Sequence, residues 1–215
     1  HLLKPGQRVV EAGANIGYHT VGMAESVGPG GRVISFEPVP ELRRLLELNV
    51  LQNGVAGRVT LRAEALLDRG GPIEMLQDPI LAGSAHLAIV HADGRYSRRL
   101  DAHATTLDAA LAAEDAPVDL IRLDIEGSEM LALRGAERVI QRSPTIRLLF
   151  EWSPIMLAAR CDPAAEAAWL AAHGFRFWRV ERSALPWRRY RLEPLEAAAL
   201  PALPHGEILA SRTAP

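Results

Sequence analysis

A glycine-rich turn near the start of the chain has residue types that suit ligand binding through the backbone. The segment Val9–Gly17 is an apolar stretch that runs into Gly-x-x-x-Gly and then into a helical pattern. Glycine at position 13 permits a sharp turn and lets a ligand approach the backbone amides without a Cβ in the way. The alternative is that Gly13 and Gly17 serve only a tight turn and helix packing.

The spacing of this turn argues against two phosphate-binding loops. The Gly-x-Gly-x-x-Gly loop of nicotinamide enzymes requires glycine at the positions that Asn15 and Tyr18 occupy. A P-loop requires Gly-Lys-Ser/Thr, which does not follow Gly13. The turn therefore predicts neither the pyrophosphate-binding loop of nicotinamide enzymes nor the P-loop of nucleoside triphosphate-binding proteins.

A second candidate ligand group is Glu37, which lies at the end of the next apolar stretch, 24 residues after Gly13. A carboxylate at such a strand end can accept charge-assisted hydrogen bonds from both hydroxyls of a ribose. The alternative is an exposed glutamate before a helix whose entry is fixed by Pro38 and Pro40. Because nicotinamide enzymes share this feature, Glu37 alone indicates only an adenosine-like ligand.

Three carboxylates fall within six positions at a later strand-to-helix turn: Asp124, Glu126 and Glu129. Negative charge in the first turn of a helix is stabilising, and Glu129 is interpreted in this structural way. Asp124 differs because it ends an otherwise buried strand and is therefore expected to point toward a ligand. We predict Asp124 as the first candidate base of the site and His86 as the second.

No catalytic metal is predicted. The alternative is that Asp124, Glu126 and Glu151 gather a divalent cation, because carboxylate oxygens suit Mg²⁺.

These residues require strands that end at one edge of a sheet. Short runs rich in Val, Ile and Leu alternate with stretches whose apolar residues recur every 3–4 positions, which predicts a doubly wound α/β sheet with helices on both faces. The predicted strands are Arg8–Ala12, Arg32–Phe36, Val59–Ala63, Asp119–Asp124 and Arg147–Trp152. The predicted helices are His19–Val27, Pro40–Asn53, Ser128–Gln141 and Pro163–His173.

Two stretches interrupt the alternation. Residues 68–105 carry several turn signals around short extended pieces, so we predict an excursion of hairpins or loops near the ligand edge of the sheet. After Gly174, the pieces Phe175–Glu181 and Glu207–Ser211 predict a last antiparallel strand pair separated by a proline-rich loop.

Composition sets the remaining expectations. The 215 residues predict a single domain, 1–215, and a net charge of −2 gives no reason to expect nucleic acid as a partner. No apolar run approaches the roughly 20 residues that span a bilayer, so we expect a soluble, cytoplasmic protein. The single cysteine, Cys161, allows a reducing compartment. Because the sequence begins with His1, we also expect that an upstream segment could contribute to the site.

Five pieces of the sequence together resemble the FkbM-like family of class I methyltransferases. They come in the family's order and cover roughly residues 5–155. The pieces are Glu-Ala-Gly-Ala-Asn-Ile-Gly (11–17), Phe-Glu-Pro-x-Pro (36–40), Leu-x-x-Asn-x-x-x-Asn (46–53), Thr-Leu-Asp (106–108) and Asp-Ile-Glu-Gly-Ser-Glu (124–129).

This resemblance implies a Rossmann-like sheet of about seven strands with S-adenosylmethionine over the ends of the first strands. It also implies methyl transfer to a hydroxyl of a small-molecule, sugar or glycan acceptor; the alternatives are N-methyl transfer and a non-catalytic cofactor-binding module. One departure is Glu11, where the family has Asp; Glu11 is expected to reach the cofactor's ammonium through water. The implied cofactor-binding residues are Glu11, Gly13, Ala14, Asn15, Gly17, Tyr18, Glu37, Pro38, Glu64, Ala65 and Asp124.

Overall fold

The computed structural model describes residues 2–78, 85–87, 98–183 and 190–215, and two sheets organise this part of the chain. The strands are β1 (Arg8–Ala12), β2 (Arg32–Phe36), β3 (Val59–Arg62), β4 (Ala65–Leu66), β5 (Gly71–Gln77), β6 (His86–Leu87), β7 (Arg98–Thr105), β8 (Leu120–Leu123), β9 (Arg147–Trp152), β10 (Arg176–Arg182), β11 (Tyr190–Leu195) and β12 (Gly206–Ser211). The helices are α1 (Tyr18–Val27), α2 (Pro40–Gln52), α3 (Leu107–Ala110), α4 (Glu129–Arg134), α5 (Glu137–Gln141), α6 (Pro154–Ala158) and α7 (Pro163–Ala172).

The main sheet has the strand order β11-β10-β12-β9-β8-β1-β2-β3. Strands β3, β2, β1, β8 and β9 are parallel, and the chain direction reverses at β12, which pairs antiparallel with both β9 and β10. The predicted doubly wound sheet and its antiparallel end are confirmed. Its two directions of winding start from β1, which places the ends of β1, β2 and β8 at one crevice.

An additional edge strand makes this sheet eight-stranded within the described residues, where about seven were predicted. Strand β11 pairs only with β10, and the sequence had placed it in the proline-rich loop. Pro194 lies in β11 opposite Trp178. Proline is tolerated there because an edge strand leaves one row of backbone groups unpaired.

Most predicted boundaries agree with the structure to within one or two residues, but the predicted helix Ser128–Gln141 is two helices. The break between α4 and α5 lies at Gly135, where a Cβ would be 2.0 Å from the carbonyl oxygen of Leu67. The segment around Leu67 therefore passes so close to the backbone at position 135 that only glycine fits there. The apolar periodicity continues across the break, which is why the sequence predicted one helix.

Buried side chains alternate between the two faces of the main sheet, as expected for strands covered on both sides. Val10, Ile34 and Ile121 belong to one core cluster, which also contains the buried apolar residues of α4, α5 and α7. Their neighbours Val9, Val33 and Leu120 belong to a second cluster with α1 and α2. Helices thus cover both faces.

The predicted excursion at residues 68–105 is more regular than hairpins and loops alone. Its strands form a second sheet of order β4-β7-β5-β6, in which β5 and β7 pair antiparallel over seven residue pairs from Gly71 to Gln77. Strand β4 pairs parallel with β7 and joins this sheet to the end of β3. Across the described ranges, no helix combines the length and apolarity that crossing a membrane would require.

Candidate active site

A cavity of about 330 Å³ opens at the carboxyl ends of β1, β2 and β8, under the second sheet. This volume is within the range of small-molecule sites. Most of the predicted site residues come together in its wall, although they lie far apart in the sequence. They are Gly13, Ala14, Asn15, Tyr18, Glu37, Pro38, Glu64, Ala65, Asp124 and Glu126.

The glycine turn forms one side of this cavity. Gly13 has a φ of 78°, and a Cβ at this position would lie 1.9 Å from the carbonyl oxygen of Asp124. The turn is held to β2 by the amides of Gly13 and Ala14, which donate to the carbonyl oxygen of Phe36 at 3.1 and 3.2 Å. Glycine at 13 is therefore required both by backbone conformation and by the close approach of β8.

Gly17 also has a positive φ, 92°, which favours glycine. It does not line the cavity, and a Cβ on it would lie 2.6 Å from Cδ1 of Leu46 in α2. The structure thus gives Gly17 the helix-packing role that the sequence had left open, while Gly13 lies at the cavity.

The carboxylate of Glu37 is held by two backbone amides, one from the Gly13 turn and one from the segment before α2. Its Oε2 accepts a hydrogen bond from the amide of Asn15 at 2.8 Å, and its Oε1 accepts one from the amide of Val39 at 2.9 Å. Burial raises the pKa of this carboxyl, and these two amides oppose that rise. Because each carboxylate oxygen can accept more than one hydrogen bond, both oxygens retain capacity for a pair of ligand hydroxyls.

Glu64 and Ala65, which follow β3, line the cavity. Glu64 is bound by Arg62, whose Nη2 and Nε lie 2.6 and 3.2 Å from its two carboxylate oxygens. This hydrogen-bonded ion pair lowers the pKa of Glu64. The segment therefore offers a negatively charged but internally paired side chain and a small apolar one.

Glu11 is not in the cavity wall. It is fully buried beneath α1, where its carboxylate accepts hydrogen bonds from Thr20 and Ser35 and lies 3.4 Å from Nη1 of Arg122. Burial raises the pKa of Glu11, and the Arg122 charge opposes that rise. This placement gives no direct support to the expected contact between Glu11 and a cofactor ammonium group.

Asp124 directly follows the last residue of β8 and lines the cavity, and its side chain is 43% exposed. Its Oδ2 accepts a hydrogen bond from Nη2 of Arg122 at 3.0 Å. Arg122 also lines the cavity and was missed by the sequence reasoning. The available signal was an arginine two positions before Asp124, on the same face of a strand that is otherwise apolar.

His19 is another cavity residue that the sequence reasoning missed, because it was assigned only to a helix. Its pKa is lowered by burial first and by the charge of Arg122 second. A lowered pKa favours the neutral imidazole, which has a lone pair that can accept a proton but is a weaker base than an ordinary histidine. His19 is therefore a second base candidate whose position is described.

His86 lies in β6, and its backbone pairs with Leu76 of β5. The flanking residues Ala85 and Leu87 line the cavity, but the side chain of His86 lies outside the described part of the structure. Its predicted role as a base stays a prediction.

The other carboxylates near β8 have distinct partners. Glu129 is buried, and its Oε1 accepts hydrogen bonds from the amides of Ile125 and Gly127, which fits its structural interpretation. Glu151 pairs with His205 at 3.1 Å. In residues 2–78, 85–87, 98–183 and 190–215, no group of three or more His, Cys, Asp or Glu is placed to hold a metal ion. The structure thus adds no support for a metal site at Asp124, Glu126 and Glu151.

The sequence has a family match that covers most of this architecture. Residues 11–177 match the methyltransferase FkbM domain. The chain belongs to the FkbM methyltransferase family. The match runs from Glu11 in β1 to Phe177 in β10 and so includes the cavity and the second sheet.

Two other proteins are similar to this chain over a short stretch or in fold only. The chain is 42% identical to a protein-L-isoaspartate O-methyltransferase of Hyperthermus butylicus over 66 residues, which are 27% of each protein. The chain thus spans about a quarter of the length of this relative. A putative rRNA methylase of Clostridium thermocellum has a TM-score of 0.55 at 12% identity and covers 97% of this chain and 90% of its own.

A third similar protein was solved with the cofactor. The O-methyltransferase TomG of Streptomyces achromogenes, in complex with S-adenosylmethionine, has a TM-score of 0.54 at 14% identity and covers 97% of this chain and 74% of its own. At this identity the likeness shows a shared fold.

The cofactor of this FkbM family member is S-adenosylmethionine, and the described residues fit it. The turn at Gly13 leaves no room for a Cβ, and its residues Gly13, Ala14 and Asn15 line the cavity. Glu37 retains acceptor capacity for two hydroxyls at the end of β2. Bound in this cavity, the cofactor supplies a methyl group activated by a positive sulfonium.

Proposed function

We propose that the chain transfers the methyl group of S-adenosylmethionine to a hydroxyl oxygen of a small-molecule, sugar or glycan acceptor. The observation that carries this proposal is the partly exposed carboxylate of Asp124 in the cavity wall beside the Gly13 turn. A hydroxyl is a weak nucleophile until its proton is removed. A carboxylate at the cavity is a group that can remove it.

The roles of the binding residues follow from their places along the wall. We assign the Gly13–Asn15 backbone to the methionine part of the cofactor and Glu37 to the ribose. Glu64 and Ala65 border the adenine in this assignment. The support is that these three groups follow β1, β2 and β3 in spatial order along the cavity.

The reaction requires donor and acceptor to be held in line at near-attack distance, since it is a single displacement at carbon. The oxygen–methyl bond forms as the carbon–sulfur bond breaks, and the hydroxyl proton passes to Asp124. A base in this position contributes about 10²–10⁴-fold in typical enzymes. Ile73 and Met75 of β5 face the same cavity and add an apolar wall that helps to exclude water.

The names of the relatives support transfer to oxygen without identifying the acceptor. Two of the proteins similar to this chain are named as O-methyltransferases that act on protein isoaspartate and catechol. Each similarity covers about a third of the chain or less, so the acceptor is inferred from the site rather than from them.

The test is a screen of sugar, glycan, phenol and amine acceptors with labelled S-adenosylmethionine, in which product formation is measured for wild type and two variants. We expect label in a hydroxyl compound, and a rate lowered about 10²-fold or more by Asp124→Asn. Asp101→Asn is the matched control because Asp101 is exposed on β7, away from the cavity wall. Label in amines alone would contradict transfer to oxygen, and an unchanged rate in Asp124→Asn would remove Asp124 as the base.

A further inference from the structure

A buried row of charges crosses the sheet beneath the cavity. Glu11 of β1 and Arg122 of β8 are direct cross-strand partners, and Asp124 stands two positions further along on the same face. Arg122 lies between the two carboxylates, with Nη1 3.4 Å from Oε1 of Glu11 and Nη2 3.0 Å from Oδ2 of Asp124. The guanidinium thus connects a buried acid with the acid at the cavity.

Burial increases along this row away from the cavity. Glu11 is fully buried, the Arg122 side chain is 6% exposed and the Asp124 side chain is 43% exposed. A buried cation or anion without a counter-charge is strongly destabilising. Glu11 therefore supplies the charge that allows Arg122 to lie inside the protein.

The inner end of the row is held rigidly. Besides Arg122, the Glu11 carboxylate accepts hydrogen bonds from Thr20 of α1 and Ser35 of β2. Because the donors of the planar guanidinium are fixed relative to one another, an Arg122 oriented by Glu11 also fixes the position of Asp124. The orientation of Arg122 is thus set by three elements of the main fold.

At the outer end, Arg122 is the described residue that holds Asp124. The other oxygen of Asp124, Oδ1, has no hydrogen-bond partner among the described side chains and backbone groups. We propose that Arg122 is a positioning residue: it fixes the Asp124 carboxylate so that Oδ1 faces the reacting groups. Glu11 serves this arrangement by pairing with Arg122. This inference rests on the proposed role of Asp124 in transfer.

Thermal melts test the inner pair without any assay of activity. Arg122→Met leaves Glu11 buried without its counter-charge, so this variant melts well below wild type. Adding Glu11→Gln removes the stranded charge and recovers at least half of the loss. The double variant also keeps the summed charge of the three positions at −1, so later comparisons do not mix charge with position. A double variant that melts no higher than Arg122→Met would overturn the pairing.

Crystal structures of wild type and of the double variant, both soaked with S-adenosylhomocysteine, test the positioning directly. We expect one Asp124 conformer in wild type and a shifted or divided carboxylate in the double variant. An Asp124 carboxylate that is unmoved in the double variant would overturn the proposal.

Transfer rates show whether Arg122 acts through Asp124. In single turnover the double variant is expected to lose about tenfold or more, because a displacement of about 1 Å can cost about 10²-fold. In an Asp124→Asn background the same two substitutions change the rate by less than about threefold, because the group that they position is already disabled. A further full loss there would show that Arg122 acts independently of Asp124 and would overturn the proposal. If wild type methylates no hydroxyl compound, the proposed function fails, while the melts and crystal structures still decide the role of Arg122.

Discussion

At the scale of single residues, Glu37 combines a structural role with its predicted ligand role. Its carboxylate accepts hydrogen bonds from the amides of Asn15 and Val39, so it connects the Gly13 turn to the start of α2. From sequence, Glu37 was predicted to bind a ligand, with an exposed glutamate before a helix as the alternative. The structure shows that the cavity wall itself requires Glu37 as well.

Glu37→Ala is therefore expected to weaken S-adenosylhomocysteine binding and to lower the melting temperature. Loss of charge-assisted hydrogen bonds to ribose, each worth about 1.5–3 kcal/mol, predicts about 5–30-fold weaker binding when 1–2 kcal/mol is lost net. Calorimetry measures the affinity, and a thermal melt measures the cost of leaving two amides without their acceptor. Unchanged affinity in a folded variant would move the ribose contact away from Glu37.

Glu129 predicts a pH effect on stability. Burial raises its pKa from 4.5 to about 7. Between these values the unfolded chain releases a proton that the folded chain retains, so the Glu129 contribution to stability falls as the pH rises from about 4.5 to about 7. Glu129→Gln removes this dependence and keeps an oxygen for the amides of Ile125 and Gly127.

The melting temperature of Glu129→Gln relative to wild type should therefore rise between pH 5 and pH 8. The expected gain is on the order of 2–3 kcal/mol, or about 5 °C or more. Glu47→Gln, a change at an exposed position of α2, is the control and should show no such trend. A constant difference between Glu129→Gln and wild type across this pH range would contradict the raised pKa.

At the scale of elements, the junction between the β1–α1 turn and the end of β8 sets the shape of the cavity. The two segments meet at Gly13 and the carbonyl of Asp124, and each carries groups assigned to the site. Strands β5 and β6 of the second sheet close the opposite side with apolar residues, among them Ile73, Met75 and Leu87. One sheet thus contributes most of the polar groups and the other an apolar wall.

Gly13→Ala tests this junction, with Gly54→Ala as its matched control. Both glycines have positive φ, 78° and 67°, but a Cβ at Gly54 meets nothing within 4 Å. Both variants therefore carry the conformational cost of about 1–2 kcal/mol, and Gly13→Ala adds about 1–3 kcal/mol of overpacking. We expect Gly13→Ala to melt lower than Gly54→Ala and to lose cofactor affinity, as followed by melts and calorimetry. Equal behaviour of the two variants would mean that β8 moves aside easily.

At the scale of the whole molecule, ligand binding should stabilise the fold selectively. S-Adenosylhomocysteine at 100 times its dissociation constant adds about 2.7 kcal/mol, which raises the melting temperature by roughly 5–10 °C in a chain of this size. NAD should produce no shift, because Asn15 and Tyr18 replace the glycines of a pyrophosphate loop. A shift with NAD and none with S-adenosylhomocysteine would overturn the cofactor assignment.

The sequence by itself determined the alternation of strands and helices in the parallel part of the main sheet and the edge at which Gly13, Glu37 and Asp124 meet. These features follow from local patterns, because the apolar residues of each segment indicate whether it forms a strand or a helix and which side is buried. Parallel strands then place their carboxyl ends at the same edge of the sheet. The sequence also predicted that residues 68–105 interrupt the alternation of strands and helices, although it did not predict that they form a regular second sheet.

The tertiary structure alone decided how the buried groups pair. Glu11 and Arg122 are 111 residues apart, and their contact exists because β8 lies beside β1 in the sheet. The break at Gly135 likewise depends on the approach of Leu67. The free energy of a buried charge or a close contact depends on its neighbours in space, which a linear pattern does not specify. For this reason the sequence located Glu11 and Asp124, but only the fold showed that Arg122 joins them.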